Sequence, residues 1–584
     1  MLQDQDLLSI QEVRTKVEAA WQAAQRLSQL SQDQIDAIVE AMAAAAREHA
    51  VTLAEHAVTE TGYGNARDKT AKNMLAADLL PQAIRGLKTV GVIREIPEEK
   101  RVEIAVPVGV VAAILPTTNP TSTAIYKSII ALKGANSIVI SPHPRAKNCT
   151  CATAKILHDA AVRAGAPEGA IQCLTLATIE ATNALMRHEK TAVILSTGGA
   201  GIVKAAYSSG KPAFGVGPGN VPVLLDTSAD VAEAVRKVVQ GKSFDYGTLC
   251  SSEQTLVAER SLREPILAEL RRQRAFLCDA DQAVRLGRTL FTPKLGVNPE
   301  YVGQAAPKLA KMAGFEVPLD TTILVAEIGG IGREHPLSAE KLSPVLALYF
   351  VADFAAGLDA CEAILRMGGL GHTCVIHAKD EARIRAYGLR MPAFRVLVNT
   401  PAPQGSTGIT TTLQPAMTLG CGAIAGNSTG DNIGPLHLVH IKRIAAAVRE
   451  AGPGAVSSSA GMAEPIDRNQ LLSAVERYVA ARGVSLPGGG TSVASSVVDR
   501  FLANRAGALP VRVEAPAAPT VPALIDIAPF VCEDDVRQAM RREQKIHIGP
   551  RTILTPSARD LGAQYDILVM TDRPIGGKPK SNTE

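Results

Sequence analysis

The chain has 584 residues, more than one hydrophobic core ordinarily organises, so two or three domains are expected. Its 46% hydrophobic and 3% aromatic content, with 48 glycines, points to aliphatic α/β layers; a formal charge of +4 from 61 basic and 57 acidic residues argues against a nucleic-acid or membrane partner. No apolar run reaches the roughly 20 residues that span a bilayer, the start MLQDQDLLSIQEVRTK lacks a basic then apolar stretch, and nine scattered cysteines suit reducing conditions, so a cytoplasmic location is expected.

From Ile10 to about Leu87, apolar residues recur three and four positions apart among Ala, Glu, Gln and Arg, which predicts helices. VGVIREIPEEKRVEIAVPVGVV (90–111) alternates like a hairpin, and GVVAAIL (109–115) reads as a buried parallel strand. Strand, turn and helix then alternate: a helix over 125–133, a strand in SIVISPHP (137–144), a helix over about 146–164, a strand in AIQCLTL (170–176), a short helix, and TAVILSTGGAGIVKAA (191–206). Such alternation implies a parallel sheet with ligands at the carboxyl ends of its strands, where PTTNPTS (116–122), SPHPR (141–145) and STGGAG (196–201) fall.

A second α/β unit is expected over 226–427, with 428–450 returning to the first, which covers 1–225. Residues 451–525 are rich in Pro, Ala, Ser and Gly and read as linker, and 526–584 recover apolar periodicity as a C-terminal module or targeting tail.

Three runs carry chemistry. Cys250 in FDYGTLCSSEQ (244–254) has Gly247, Thr248, Ser251 and Ser252 around it, which allow close approach and offer donors to a nucleophilic thiol; against this stands the usual role of cysteine as a small buried hydrophobe. STGGAG before a helix offers amides to a pyrophosphate or is only a tight turn, since it lacks the G-x-G-x-x-G spacing. His372 in GLGHT (369–373) is either a proton-transfer group or a surface imidazole. Cys149 and Cys151 have no second ligand pair downstream, so no metal is expected.

Together with PVGVVAAILPTTNPTSTAIYKSIIALKGANSIVISPHPRAK (107–147), KAAYSSGKPAFGVGPGNVPV (204–223), EKLSPVLALY (340–349) and TLGCGAIAGNS (418–428), these runs resemble the aldehyde dehydrogenase superfamily over about 16–445. The likeness is to its CoA-acylating branch, the aldehyde domain of bifunctional aldehyde-alcohol dehydrogenases and microcompartment aldehyde dehydrogenases. It implies two Rossmann-type α/β domains with an oligomerisation hairpin near 90–105. It also implies catalysis by Cys250, with Asn119 and the Cys250 backbone N–H as oxyanion donors and His372 handling the proton of the CoA thiol. Thr117, Thr118, Asn119, Ser141, Gly199, Gly217 and Glu340 would line an NAD site, with Glu340 on the nicotinamide ribose.

Hydrolytic relatives carry a glutamate base where this chain has FGVGPGN (214–220), with Val216 near its place, so CoA rather than water is the expected acceptor. The implied reaction is oxidation of a short aldehyde such as acetaldehyde or propionaldehyde to its acyl-CoA. A non-acylating dehydrogenase and an inactive scaffold or cargo adaptor are the alternatives. Ile424 replaces an aromatic residue of several relatives, leaving substrate size open, and ISPHPR lacks an acidic residue, though similar proteins with this run use NAD. The resemblance further implies a homo-oligomer, a dimer or dimer of dimers. No alcohol dehydrogenase domain is expected after the shared region. In FVCEDDVRQAMRREQKIHIGPRTILTPSARDLG (530–562) acids precede a helix with Val536, Ala539 and Met540 on one side. The segment resembles pieces of microcompartment-associated proteins, which implies a place within a bacterial microcompartment and suggests a shell or cargo partner; a packed small domain or mobile tail is the other reading.

Overall fold

The computed structural model describes residues 4–292, 295–449, 528–542 and 544–570, together with 468, 469, 472, 473, 498 and 499. The expected linker at 451–525 therefore lies almost wholly outside the described residues. The chain divides into two compact units, Met1–Glu450 and Ala451–Glu584.

In the first unit the expected helices form at Gln5–Leu27, Gln32–Glu48, Ala50–Thr61 and Ala66–Met74. Asp4 caps the first, and Ser31 with Gln34 forms a reciprocal capping box on the second. The fourth departs from ordinary amphipathicity: its buried residues are Asp68, Lys69, Lys72 and Asn73. The hairpin follows as β1 (Gly91–Ile96) and β2 (Arg101–Pro107), and β15 (Val439–Ala445) pairs with β2 to complete a three-stranded antiparallel sheet.

Strands β3 (Val110–Ile114), β4 (Ser137–Ser141), β5 (Ile171–Cys173), β6 (Thr191–Thr197) and β7 (Ala213–Val216) form a parallel sheet of order β5-β4-β3-β6-β7. Its central strands β3 and β4 are buried along their whole length, as their continuous apolar runs require.

Seven further parallel strands form a second sheet: β8 (Val221–Leu225), β9 (Glu253–Glu259), β10 (Phe276–Cys278), β11 (Leu324–Glu327), β12 (Val345–Val351), β13 (Gly371–His377) and β14 (Ala393–Val398). Their order is β10-β11-β12-β9-β8-β13-β14. Because β8 pairs with β9 and β13, the boundary expected at 225 moves back into the short connection between β7 and β8. The fold class is α/β with parallel sheets, as expected.

In the second unit, β16 (Ala528–Val531), β17 (Ile546–Leu554) and β18 (Leu568–Met570) form a parallel sheet in chain order, connected by helices Glu533–Arg541 and Pro556–Gln564. Val531, Val536, Ala539, Ile548, Ala558 and Ile567 make its core, so the predicted apolar side of the first helix turns into a small folded module, with Val536 and Ala539 in the core and Met540 partly buried against it. Among the described residues no helix is long and apolar enough to cross a membrane.

Candidate active site

The carboxyl ends of the five-stranded sheet and the segments entering β9 and β12 border one cavity of about 970 Å³, at the large end of small-molecule sites. Thr117, Thr118 and Asn119 follow β3, Ser141 ends β4, Gly199 follows β6 and Gly217 follows β7. All line the cavity, with Cys250 ahead of β9 and Glu340 ahead of β12. A side chain at Gly199 or Gly217 would enter open space, so their absence keeps room for a ligand. The cavity thus lies at the carboxyl ends of the first sheet, whereas the second sheet contributes from the amino ends of its strands.

His372 is fully buried and reaches the site from β13, its Nε2 3.2 Å from Cys250 Sγ. Its Nδ1 lies 3.0 Å from Thr373 Oγ1, to which Arg395 Nε also donates at 3.3 Å. Arg395 is itself buried on β14 and holds the backbone carbonyls of Gly371, Gly420 and Gly430. It anchors the strand that presents the histidine. Burial, then the charge of Arg395, pushes His372 well below the usual imidazole range. Burial, then the carboxylate of Glu340, pushes the Cys250 thiol up to about 12. The resting pair is therefore thiol and neutral imidazole. In the tautomer whose Nδ1–H donates to Thr373 Oγ1, Nε2 is free to accept the thiol hydrogen.

The loop between β7 and β8 closes the site from one side. A Cβ on Gly219 would collide with the Cys250 carbonyl and meet the His372 ring at 3.0 Å, so only glycine permits this approach. Gly219 N–H donates to Glu340 Oε1 at 3.1 Å, and burial raises the Glu340 carboxyl to about 7. Val216 is buried and lines the cavity where the hydrolytic glutamate was sought.

Asn119 is the N-cap of helix Pro120–Lys133, yet its side chain makes no capping bond. Instead Oδ1 accepts from Lys72 Nζ at 2.6 Å and Nδ2 donates to Thr118 Oγ1 at 3.0 Å. Ser141 Oγ meets Thr182 Oγ1 at 2.9 Å beneath the same wall. The buried Lys127 donates to Ile114 O and Leu195 O, both at 2.9 Å, and so fastens the carboxyl ends of β3 and β6.

Lys69, Lys72, Asp245, Lys127 and Arg395 all escaped the sequence reading. The legible trace was weak: two lysines three apart on one helix face, and an aspartate inside the cysteine run. Cys149 and Cys151, paired by spacing alone, separate: Cys149 Sγ faces Ala146 O, while Cys151 Sγ lies 2.9 Å from Cys173 Sγ. No group of three or more His, Cys, Asp or Glu able to hold a metal occurs among the described residues.

A cysteine in contact with an imidazole, beside a cavity bordered by two parallel α/β sheets, is the arrangement of an enzyme with a covalent nucleophile. The profile of the aldehyde dehydrogenase family matches residues 4–287. The bifunctional aldehyde-alcohol dehydrogenase of Escherichia coli K12 is 41% identical over 442 residues, 75% of this chain and 50% of the relative, so the chain spans about half the length of that relative. An acetylating aldehyde dehydrogenase structure from Geobacillus thermoglucosidasius is 50% identical, with a TM-score of 0.76 over 77% of this chain and 100% of its own. A propionaldehyde dehydrogenase from the Clostridium phytofermentans fucose utilisation bacterial microcompartment is 28% identical, with a TM-score of 0.67 over 74% of this chain and 97% of its own. The Rhodopseudomonas palustris propionaldehyde dehydrogenase, solved with bound propionyl-CoA, is also 28% identical, at a TM-score of 0.69 over 74% of this chain and 94% of its own. The chain belongs to the aldehyde dehydrogenase family.

Proposed function

We propose that this chain is a CoA-acylating aldehyde dehydrogenase that oxidises a short aliphatic aldehyde, acetaldehyde or propionaldehyde, with NAD. The observation that carries the reading is the thiol–imidazole contact of Cys250 and His372 on a cavity whose wall has Val216 in place of a hydrolytic carboxylate. His372 takes the thiol proton and Cys250 adds to the aldehyde carbon. The new oxyanion is held by Asn119 Nδ2 and the Cys250 backbone N–H. NAD, when bound, supplies the hydride acceptor; Thr117, Thr118, Ser141, Gly199, Gly217 and Glu340 would hold it. The thioester left on Cys250 meets no activated water; once His372 has released the first proton to solvent, it receives the proton of the incoming CoA thiol. Attack by CoA sulfur releases acyl-CoA, and His372 returns that proton to the departing Cys250 sulfur, which restores the resting thiol.

The hairpin and β15 are the surfaces through which we expect a dimer or dimer of dimers to form. The microcompartment reading draws support from the fucose-utilisation neighbour and from the 530–562 segment, which would engage a shell or cargo protein. The test is NADH formation from propionaldehyde and NAD, with and without CoA, for wild type and Cys250→Ser, repeated with NADP. Turnover needing both CoA and the thiol is expected. Equal turnover without CoA would make water the acceptor and the non-acylating alternative correct.

A further inference from the structure

Lys72 has no part in the scheme above, yet its ammonium is the nearest charge to the amide that the scheme depends on. It is 2% exposed, on a helix whose buried residues are all polar. Its Nζ donates to Asn119 Oδ1 at 2.6 Å, to Asp245 Oδ2, and at 3.4 Å to Thr248 Oγ1. An ammonium has three hydrogens and no acceptor, so each hydrogen has a destination and the atom facing Lys72 must be the amide oxygen. That settles which way the Asn119 amide points. Nδ2 gives one hydrogen to Thr118 Oγ1 and keeps the other, on a side chain that lines the cavity.

Neutralising Asp245 does not explain Lys72. Lys69 Nζ already donates to the same carboxylate oxygen at 3.0 Å, and the backbone N–H of Asn65 donates to Oδ1 at 2.8 Å. A second buried cation is costly unless it is used, and its other short bond is to Asn119. A charge on the amide oxygen draws electron density from the nitrogen and strengthens its remaining N–H as a donor, most effectively where water is excluded.

The carboxylate that holds Lys72 belongs to the cysteine loop. Asp245, Tyr246 and Gly247 all have positive φ, 47°, 51° and 72°, a costly run for the first two residues. The run is fastened by Asp245 N–H donating to Asp68 Oδ2 at 2.8 Å, and Gly64 is glycine where any Cβ would strike the Asp245 carboxylate. One carboxylate thus sets the loop that ends in Cys250 and the cation that sets Asn119.

We propose that Lys72 is a positioning residue for the oxyanion site, orienting and polarising the Asn119 amide from a seat fixed by Asp245. This rests on the reading of Asn119 as an oxyanion donor. The test is a double-mutant cycle on the single-turnover rate of NADH formation from propionaldehyde and NAD. Lys72→Met is expected to slow that step by about 10²-fold in the wild-type background, the scale of losing one oxyanion donor. In the Asn119→Ala background it should slow it by less than about 3-fold, because its target is gone. Lys72→Gln, which keeps a donor without the charge, carries the same cycle if Lys72→Met does not fold. Equal fold-losses in both backgrounds, or an unchanged rate in folded Lys72→Met, would overturn the proposal. A wild-type chain inert toward aldehydes would defeat the underlying reading instead, a result distinct from an additive cycle.

Discussion

Two groups of buried side chains meet at the cavity and differ in charge. On the Asn119 side, Lys69, Lys72 and Asp245 are buried as ions: burial opposes the Asp245 charge, but the two lysines outweigh it and hold the carboxyl below its usual range. On the Cys250 side, burial keeps both thiol and imidazole uncharged. The difference teaches how the labour is divided. Donors that receive a developing negative charge are set in advance and need no reorganisation, while the nucleophile stays neutral until its proton can pass to His372.

That contrast breaks most severely at Asp245. Asp245→Asn leaves two ammonium groups without their common carboxylate and frees the left-handed loop, so a loss of roughly 3–5 kcal/mol is expected in denaturant unfolding. A change within about 0.5 kcal/mol, the scale of an ordinary surface substitution, would show that the cluster is not ionic.

His372→Ala removes the only proton acceptor placed at Cys250 Sγ among the described residues. CoA-dependent turnover should fall by roughly 10²–10⁴-fold while NAD binding, followed by fluorescence, stays as in wild type. Wild-type turnover would remove His372 from the proton path.

The smallest effect is in the resting thiol. Because the folded Cys250 is raised to about 12, the thiolate is a minor species at neutral pH and grows with pH. Iodoacetamide labelling of Cys250, followed by peptide mass, should speed up about tenfold per unit between roughly pH 7 and 9, without a plateau. A plateau at neutral pH would mean a thiolate–imidazolium ion pair and collapse the contrast between the two sides.

How legible each side was follows from the same physics. Cys250, His372, Asn119 and the glycine turns announce themselves because small and glycine neighbours are needed wherever a ligand approaches, and such runs stand out in sequence. The alternating strands and helices were legible for the same reason that β3 and β4 are buried throughout: parallel strands inside α/β layers leave unbroken apolar runs. Nothing in the sequence of helix Ala66–Met74 announces a buried polar face, since Lys and Asp are rarely buried. Its partners, Asp245 and Asn119, are distant in the chain, and only the packing reveals that its polar face points inward. Arg395 was hidden likewise, a charged residue within the strand segment AFRVLV of β14. At the C-terminal module the acidic start and apolar side of helix Glu533–Arg541 were legible, but the parallel pairing of three short strands was not, because pairing depends on contacts between segments rather than on any one of them.

The most direct measurement is the mass of Cys250 after reaction with propionaldehyde and NAD in the absence of CoA. The account predicts one propionyl group on Cys250 that persists until CoA is added and then leaves as propionyl-CoA. Loss of that group to propionate as fast without CoA as with it would show that water reaches and attacks the thioester, and would contradict the central claim.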